Sequence, residues 1–150
     1  MSWSQRLAEL GITLPEVAAP VAAYVPAVRS GAQVFTSGQL PFVEGELAAT
    51  GKVGGEVSPE EAKRHARTCV LNALAAVDAL VGIDSVVRVV KVVGFVASAE
   101  GFTGQPAVVN GASEVLGEIF GEAGAHARSA VGVAELPLGS PVEVELIVEV

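Results

Sequence analysis

Of the nine basic side chains in this chain of 150 residues, Arg128 is the hardest to explain as scaffolding. It falls within Ala127–Glu135, a run in which Arg128, Ala130, Gly132 and Ala134 share one face of an extended strand. Val131 and Val133 take the other face. A guanidinium among such small neighbours is costly unless it is paired or meets an anion. Two chemistries fit. In one, Arg128 pairs with Glu143 or Glu145, which project from the outward side of the next apolar alternation, at a contact between subunits. In the other, it holds a ligand carboxylate bidentately while a neighbouring glutamate stays free to move protons.

Two further sites have suitable residue types. Thr36-Ser37-Gly38-Gln39 closes a β-favouring run with two hydroxyls and a glycine. It is either an ordinary turn or a place where a ligand approaches the backbone and meets hydrogen-bond donors. Asn110 is polar within an apolar helical stripe, as an interface amide or as part of a pocket wall. Metal chemistry is not expected: His65 sits among Lys63, Arg64 and Arg67 on the polar side of a helix, and His126 is the only other histidine. Cys69 falls on a core stripe and reads as a small buried hydrophobe. No nucleophile elbow, phosphate-binding loop or dinucleotide-binding glycine pattern occurs.

The elements that must position these residues are legible from periodicity. Residues 4–10 form a short helix stopped by Gly11, followed by an extended arm from Leu14 to Pro20. Ala22–Val28 and Gln33–Ser37 flank Ser30-Gly31 as a hairpin, and residues 41–57, rich in glycine, are loop or frayed ribbon. Ser58-Pro59-Glu60-Glu61 is a helix start, with Ser58 capping, Pro59 pre-set at the first position and Glu61 completing a capping box. Ala62, Ala66, Cys69, Ala73, Val77 and Leu80 then mark one face of a helix over 59–81, ended by Gly82. Val86–Val96 is a strand, apolar on both faces. A second helix spans 105–120, with Gly111 marking a close approach. After Ala127–Glu135, Val142–Val150 alternates Val142, Val144, Leu146, Val148 and Val150 inward against Glu143, Glu145, Ile147 and Glu149 outward.

The order β-β-α-β-α-β-β is that of an α+β domain with two long helices on one sheet face. Two helices leave the other face bare, although Val86–Val96 is apolar on both sides and the even face of Ala127–Glu135 is small-sided. Packing against other copies of the chain would resolve this, so a homo-oligomer is expected. The length suits one domain over 21–150 behind an N-terminal extension over 1–20. Seventeen acidic residues against nine basic give a net charge of −8, which argues against a nucleic-acid partner. One cysteine excludes an internal disulfide. No segment reaches the roughly 18 unbroken apolar residues of a membrane span, and the mixed N-terminus is unlike a signal peptide, so a cytoplasmic protein without a membrane partner is expected.

With these segments placed, the chain resembles the Rid superfamily, also called YjgF-like or reactive intermediate deaminase. The resemblance runs from about Ala19 onward through Pro20-Val-Ala-Ala-Tyr24-Val, Phe35-Thr-Ser-Gly-Gln39-Leu-Pro and Val109-Asn110. It is strongest in Ala127-Arg128-Ser129-Ala-Val-Gly-Val-Ala-Glu-Leu136-Pro137 followed by Val142-Glu143-Val144-Glu145. It implies a chorismate-mutase-like sheet, a homotrimer with the helix-free face in the subunit core, and sites in the clefts between subunits. It further implies hydrolysis of 2-imino acids, or their enamine tautomers, to 2-keto acids and ammonia, without a cofactor.

On this resemblance Arg128 clamps the substrate carboxylate, Glu143 orients water and shuttles protons, and Tyr24 lies near the nitrogen. Ser37, Gly38 and Asn110 line the pocket, and Ala130 stands beside it where many members carry cysteine. Glu135 replaces a commonly basic residue. The extension and the Phe42–Val57 segment are placed to reshape the cleft entrance. A non-catalytic trimer that binds small carboxylates such as 2-keto acids is the alternative function. A ribonuclease is the weakest reading, given the acidic charge.

Overall fold

In a computed structural model, residues 1–17 and 23–150 are described. The end of the expected arm, the strand start at Ala22, the first residues of the Pro20 motif and the 20/21 boundary lie outside them. The elements are α1 (Trp3–Glu9), β1 (Ala27–Ser30), β2 (Gln33–Thr36), β3 (Phe42–Val43), β4 (Glu46–Leu47), α2 (Pro59–Val81), β5 (Arg88–Ala97), α3 (Gln105–Phe120), β6 (Ala127–Val133) and β7 (Val142–Glu149). Apart from the small β3–β4 ribbon, this is the β-β-α-β-α-β-β order behind a short helix.

One sheet carries the fold, in the order β1-β2-β7-β5-β6. Only β5 and β6 run parallel, because α3 crosses over between them; every other pair is antiparallel. Helix α2 packs over β7 and the hairpin, α3 over β5 and β6, and the two helices lie against each other. The core between helices and sheet takes Val34, Val89, Val92, Val96, Val144, Leu146 and Val148 from the strands and Val70, Leu74, Val77, Val108, Leu116 and Ile119 from the helices.

Both long helices have the expected limits. Ser58 caps α2 by accepting from the Glu61 amide at 3.1 Å. The reciprocal half of the expected capping box is not made: the Glu61 carboxylate turns one helical turn onward to His65 Nε2, at 3.2 Å. His65, expected as a solvated surface residue, is thereby drawn in, with its side chain only 14% exposed. The complete capping box belongs instead to α1, between Ser2 and Gln5. That helix is fastened by the Trp3 indole N–H, which donates to the Val86 carbonyl at 2.7 Å, and by a Trp3–Phe120 edge contact at 5.0 Å.

Two departures from strict alternation decide which side chain faces where. Val89 opposes Val148 but Lys91 opposes Ile147, so Val90 is an extra residue in β5. The bulge moves the inward set from odd to even positions, from Val89 to Val92, Gly94 and Val96, so a single parity through 86–96 does not hold. The second correction concerns β6. Its even face is covered by α3, not left for another copy: Gly132 lies beneath the Gln105 side chain, and Gly94, paired with Ala130, lies beneath Val109. The small residues there let α3 come close. The bare face carries the odd positions of β6, where Val131 pairs with Phe95, and on the far side of β7 it carries Phe35 paired with Val28; Val28, Phe35 and Val131 are 41–51% exposed.

Gly111 is the contact point of the two helices, where an added Cβ would overlap the Lys63 backbone carbonyl. Gly111→Ala should therefore lower unfolding free energy by about 1–3 kcal/mol through overpacking, despite alanine's helix propensity, which favours it by about 1 kcal/mol. Urea denaturation checks this, and a rise in stability would contradict the close crossing.

Candidate functional site

The expected site residues fall into two groups on opposite sides of the sheet. On the helix side, Arg128 enters at the second residue of β6, paired with the buried Val92. Its side chain reaches across to α3. Nη1 donates to Asn110 Oδ1 at 2.7 Å and to Ser113 Oγ at 3.2 Å, and Nη2 approaches the Pro106 carbonyl at 3.4 Å. Asn110 and Ser113 are one helical turn apart, so both face the strand together. Ala130 lies two residues along the same face, packed against the core cluster.

All three partners of the guanidinium are neutral. No carboxylate lies within 4 Å of Arg128 among the described residues, so any pairing with Glu143 or Glu145 is left to a contact between subunits, where it was expected. Nη1 has both hydrogens engaged. Nε–H and one N–H of Nη2, on neighbouring nitrogens, have no acceptor among the described residues. That is the donor pattern a carboxylate can bridge.

Glu143 belongs to the bare face. It opposes Phe95 in the β5–β7 ladder and is half-buried. Phe35 opposes Ile147 but Gln39 opposes Val144, four residues on one strand against three on the other, so an extra residue bulges between them. The bulge brings Gly38 against the Glu143 carboxylate, which lies 2.8–2.9 Å from where a Cβ would sit. In this arrangement the carboxylate takes the space that a side chain at 38 would fill, so a larger residue would displace it. Burial, aided by the like charge of Glu145, raises the Glu143 carboxyl above its ordinary range.

Ser37 donates from its hydroxyl to the Val25 carbonyl at 2.6 Å and from its amide to the Pro26 carbonyl at 2.8 Å. These bonds tie the segment bearing Tyr24, which is 45% exposed, to Ser37 and Gly38. Ser37, Gly38 and Glu143 thus form one cluster, with the segment bearing Tyr24 tied to it through Val25 and Pro26, and Asn110, Arg128 and Ala130 form another. Within one chain, β5 lies between them and the two groups face opposite ways.

Sequence reasoning missed Ser113 and His126. Ser113 Oγ lies 2.8 Å from His126 Nε2, and His126 Nδ1 lies 2.6 Å from the Gly124 carbonyl. The available signal was Asn110-Gly-Ala-Ser113, two polar side chains one helical turn apart beside an apolar stripe. Cys69 is fully buried, and burial pushes its thiol well above the ordinary range, away from reactivity. Among the described residues no group of three histidine, cysteine, aspartate or glutamate side chains is arranged to hold a metal, and no helix is long and apolar enough to cross a membrane. A groove of about 920 Å³ between residues 13–17, the β3–β4 turn and α2 includes neither cluster.

A carboxyl whose folded-state pKa is raised takes up a proton on folding, so its ionisation weakens the fold as pH rises through the ordinary carboxylate range. Glu143→Gln should therefore be more stable than the wild type at pH 7, with the difference closing below about pH 4. Denaturant midpoints across that range measure it; a pH-independent gap would show that the carboxyl is not strained by its surroundings.

Comparison with known proteins follows the same outline. Residues 4–150 match a family described as YjgF/chorismate mutase-like and conjectured to be endoribonucleases. Protein TCP17 of Trypanosoma cruzi is 46% identical over 145 residues, covering 95% of this chain and 91% of that protein. The crystal structure of Atu1372 from Agrobacterium tumefaciens superimposes with a TM-score of 0.89 at 47% identity, over 99% of this chain and 92% of that one. That of RidA from an Antarctic Psychrobacter gives 0.64 at 31% identity, over 90% and 94% of the two chains.

Proposed function

The chain belongs to the YjgF/chorismate mutase-like family, and we propose that its own activity is the hydrolysis of small 2-imino acids to 2-keto acids and ammonia in clefts between copies of the chain. The observation that carries this reading is the state of Arg128. Its charge is held in place by Asn110, Ser113 and the Pro106 carbonyl, yet no described carboxylate neutralises it, and two neighbouring nitrogens keep donors to offer. A fixed, uncompensated guanidinium suits a small anion better than it suits a scaffold.

Glu143 supplies the complementary group, but from the other sheet face. One protomer therefore contributes the Arg128 cluster and another the Glu143, Gly38, Ser37 and Tyr24 cluster. The exposed Val28, Phe35 and Val131 on the Glu143 face provide the apolar surface for that association. A trimer of the kind expected from the sequence closes such a cleft three times.

The chemistry follows from the two groups. Arg128 binds the carboxylate of the iminium and fixes its C=N carbon. Glu143, as carboxylate, accepts a proton from water while the oxygen forms a bond to that carbon, and the π electrons of C=N move to nitrogen. The protonated Glu143 then returns the proton to the amine, the C–N bond breaks with ammonia leaving, and the carbonyl forms as the hydroxyl proton is lost to solvent. A carboxyl with a raised pKa suits both transfers, being closer to neutrality than an ordinary glutamate. The iminium is already electrophilic, so these residues need only place water and move a proton.

A coupled assay with freshly generated 2-iminobutyrate tests this. Arg128→Ala should reduce kcat/KM by about 10²–10³-fold, mostly through KM, because a charge-assisted carboxylate contact is lost. Glu143→Gln should reduce kcat by about 10²–10⁴-fold with KM little changed. Saturable binding of 2-oxobutyrate without turnover would instead identify a non-catalytic carboxylate-binding module, the reading that needs Arg128 but not Glu143.

A further inference from the structure

Beside Arg128 runs a chain of hydrogen bonds that neither the carboxylate contact nor the proton transfer uses. It starts at the Gly124 carbonyl, passes through both ring nitrogens of His126 and the hydroxyl of Ser113, and ends on Arg128 Nη1. The proton positions along it are dictated at both ends. A carbonyl only accepts, so His126 Nδ1, 2.6 Å from the Gly124 oxygen, carries a hydrogen. A guanidinium only donates, so Ser113 Oγ, 3.2 Å from Nη1, accepts there. In a neutral ring the single hydrogen is then on Nδ1, and the Ser113 hydrogen is directed at His126 Nε2, 2.8 Å away.

The far end of the chain is rigid. Gly124 is buried and packs closely on α3, the helix that carries Ser113 and Asn110: an added Cβ there would overlap the Leu116 backbone carbonyl. His126 is two residues before Arg128, at the entrance to β6. The ring thus spans from the turn that ends α3 to the middle of α3 itself. Without Nε2 as acceptor, the Ser113 hydroxyl is free to rotate, and Nη1 loses one of the two acceptors that set the plane of the guanidinium.

We infer that His126 and Ser113 are positioning residues: the pinned imidazole orients the Ser113 hydroxyl, and Ser113 with Asn110 sets the plane in which Arg128 presents Nε–H and Nη2–H to a ligand carboxylate. The inference deepens the carboxylate reading of the site and rests on it for its consequence, but the hydrogen-bond chain stands in the ligand-free protein. Outer partners of this kind commonly contribute about 10–100-fold to ligand affinity by holding the contacting group in place. Arg128 without them keeps its charge and loses its aim.

Two measurements on the full-length protein test it. The first needs no ligand. Nitrogen-15 spectra at pH 7.5 should show His126, assigned by its loss in His126→Gln, in the Nδ1–H tautomer, and the Arg128 Nη1 protons in slow exchange. Ser113→Ala should release those protons to fast rotation. Glutamine at 126 places an amide oxygen near the former Nε2, so His126→Gln should keep them largely restricted where His126→Asn does not. An Nε2–H tautomer or an imidazolium at that pH, or Arg128 signals indifferent to Ser113→Ala, overturns the inference.

The second measurement is calorimetric binding of 2-oxobutyrate. Ser113→Ala and His126→Asn should each weaken it about 10-fold, their double variant no more than either alone, with His126→Gln recovering most of the loss. Additive losses, or a glutamine variant as weak as the asparagine one, also overturn it. If the wild type does not bind 2-oxobutyrate at all, the carboxylate reading fails, and the nitrogen-15 result alone decides whether the positioning chain exists.

Discussion

A full positive charge sits in the seam between β6 and α3, and its surroundings restrain it without cancelling it. Asn110, Ser113 and the Pro106 carbonyl supply three partial negative charges to the Arg128 guanidinium and no formal one. Such a charge remains bearable because it is only part-buried and because oriented dipoles replace some of its lost hydration. Had a glutamate occupied the Asn110 position, the seam would have been electrostatically satisfied and closed to small anions. The neutrality of the partners leaves the guanidinium charge uncompensated among the described residues.

That arrangement demands that α3 lie unusually close to the strands beneath it. Gly94 under Val109, Gly132 under Gln105 and Gly111 against the Lys63 carbonyl remove side chains where backbone or helix must approach. These glycines look at first like weaknesses in two strands and a helix. In the fold they set the height of α3 above the sheet, and hence the reach from β6 to Asn110 and Ser113. The turn through Gly124 completes the same constraint, since its carbonyl anchors the imidazole that touches Ser113.

The pleat divides the remaining chemistry. Side chains of β5, β6 and β7 point alternately to the helices and away from them, so Arg128 on one strand and Glu143 on another end on opposite sides. The glutamate has its own supports: the bulge before Gln39, the missing Cβ of Gly38, and Ser37 tied back to the segment that bears Tyr24. Neither cluster holds both the guanidinium and the raised carboxyl. The bare face around Glu143 also carries the exposed apolar residues, so the proposed association of copies and the proposed cleft would draw on one surface.

Much of this was legible in the linear chain. The Ser58-Pro59 start and the three-and-four spacing from Ala62 onward define α2 to the residue, and the alternation in 142–150 correctly separates Val144 and Leu146 from Glu143 and Glu145. These are local matters, since capping, periodicity and pleat depend on residues only a few positions apart. What periodicity could not supply was the absolute face of each strand. One extra residue at Val90 inverts the parity of β5, and whether the even side of β6 meets α3 or open space depends on the crossover path between them. For the same reason Arg128 was recognisable as an anomaly of the sequence, while its three neutral partners and the His126–Ser113 chain were not. Those contacts join residues 13 to 22 positions apart, and only packing brings them within a hydrogen bond of one another.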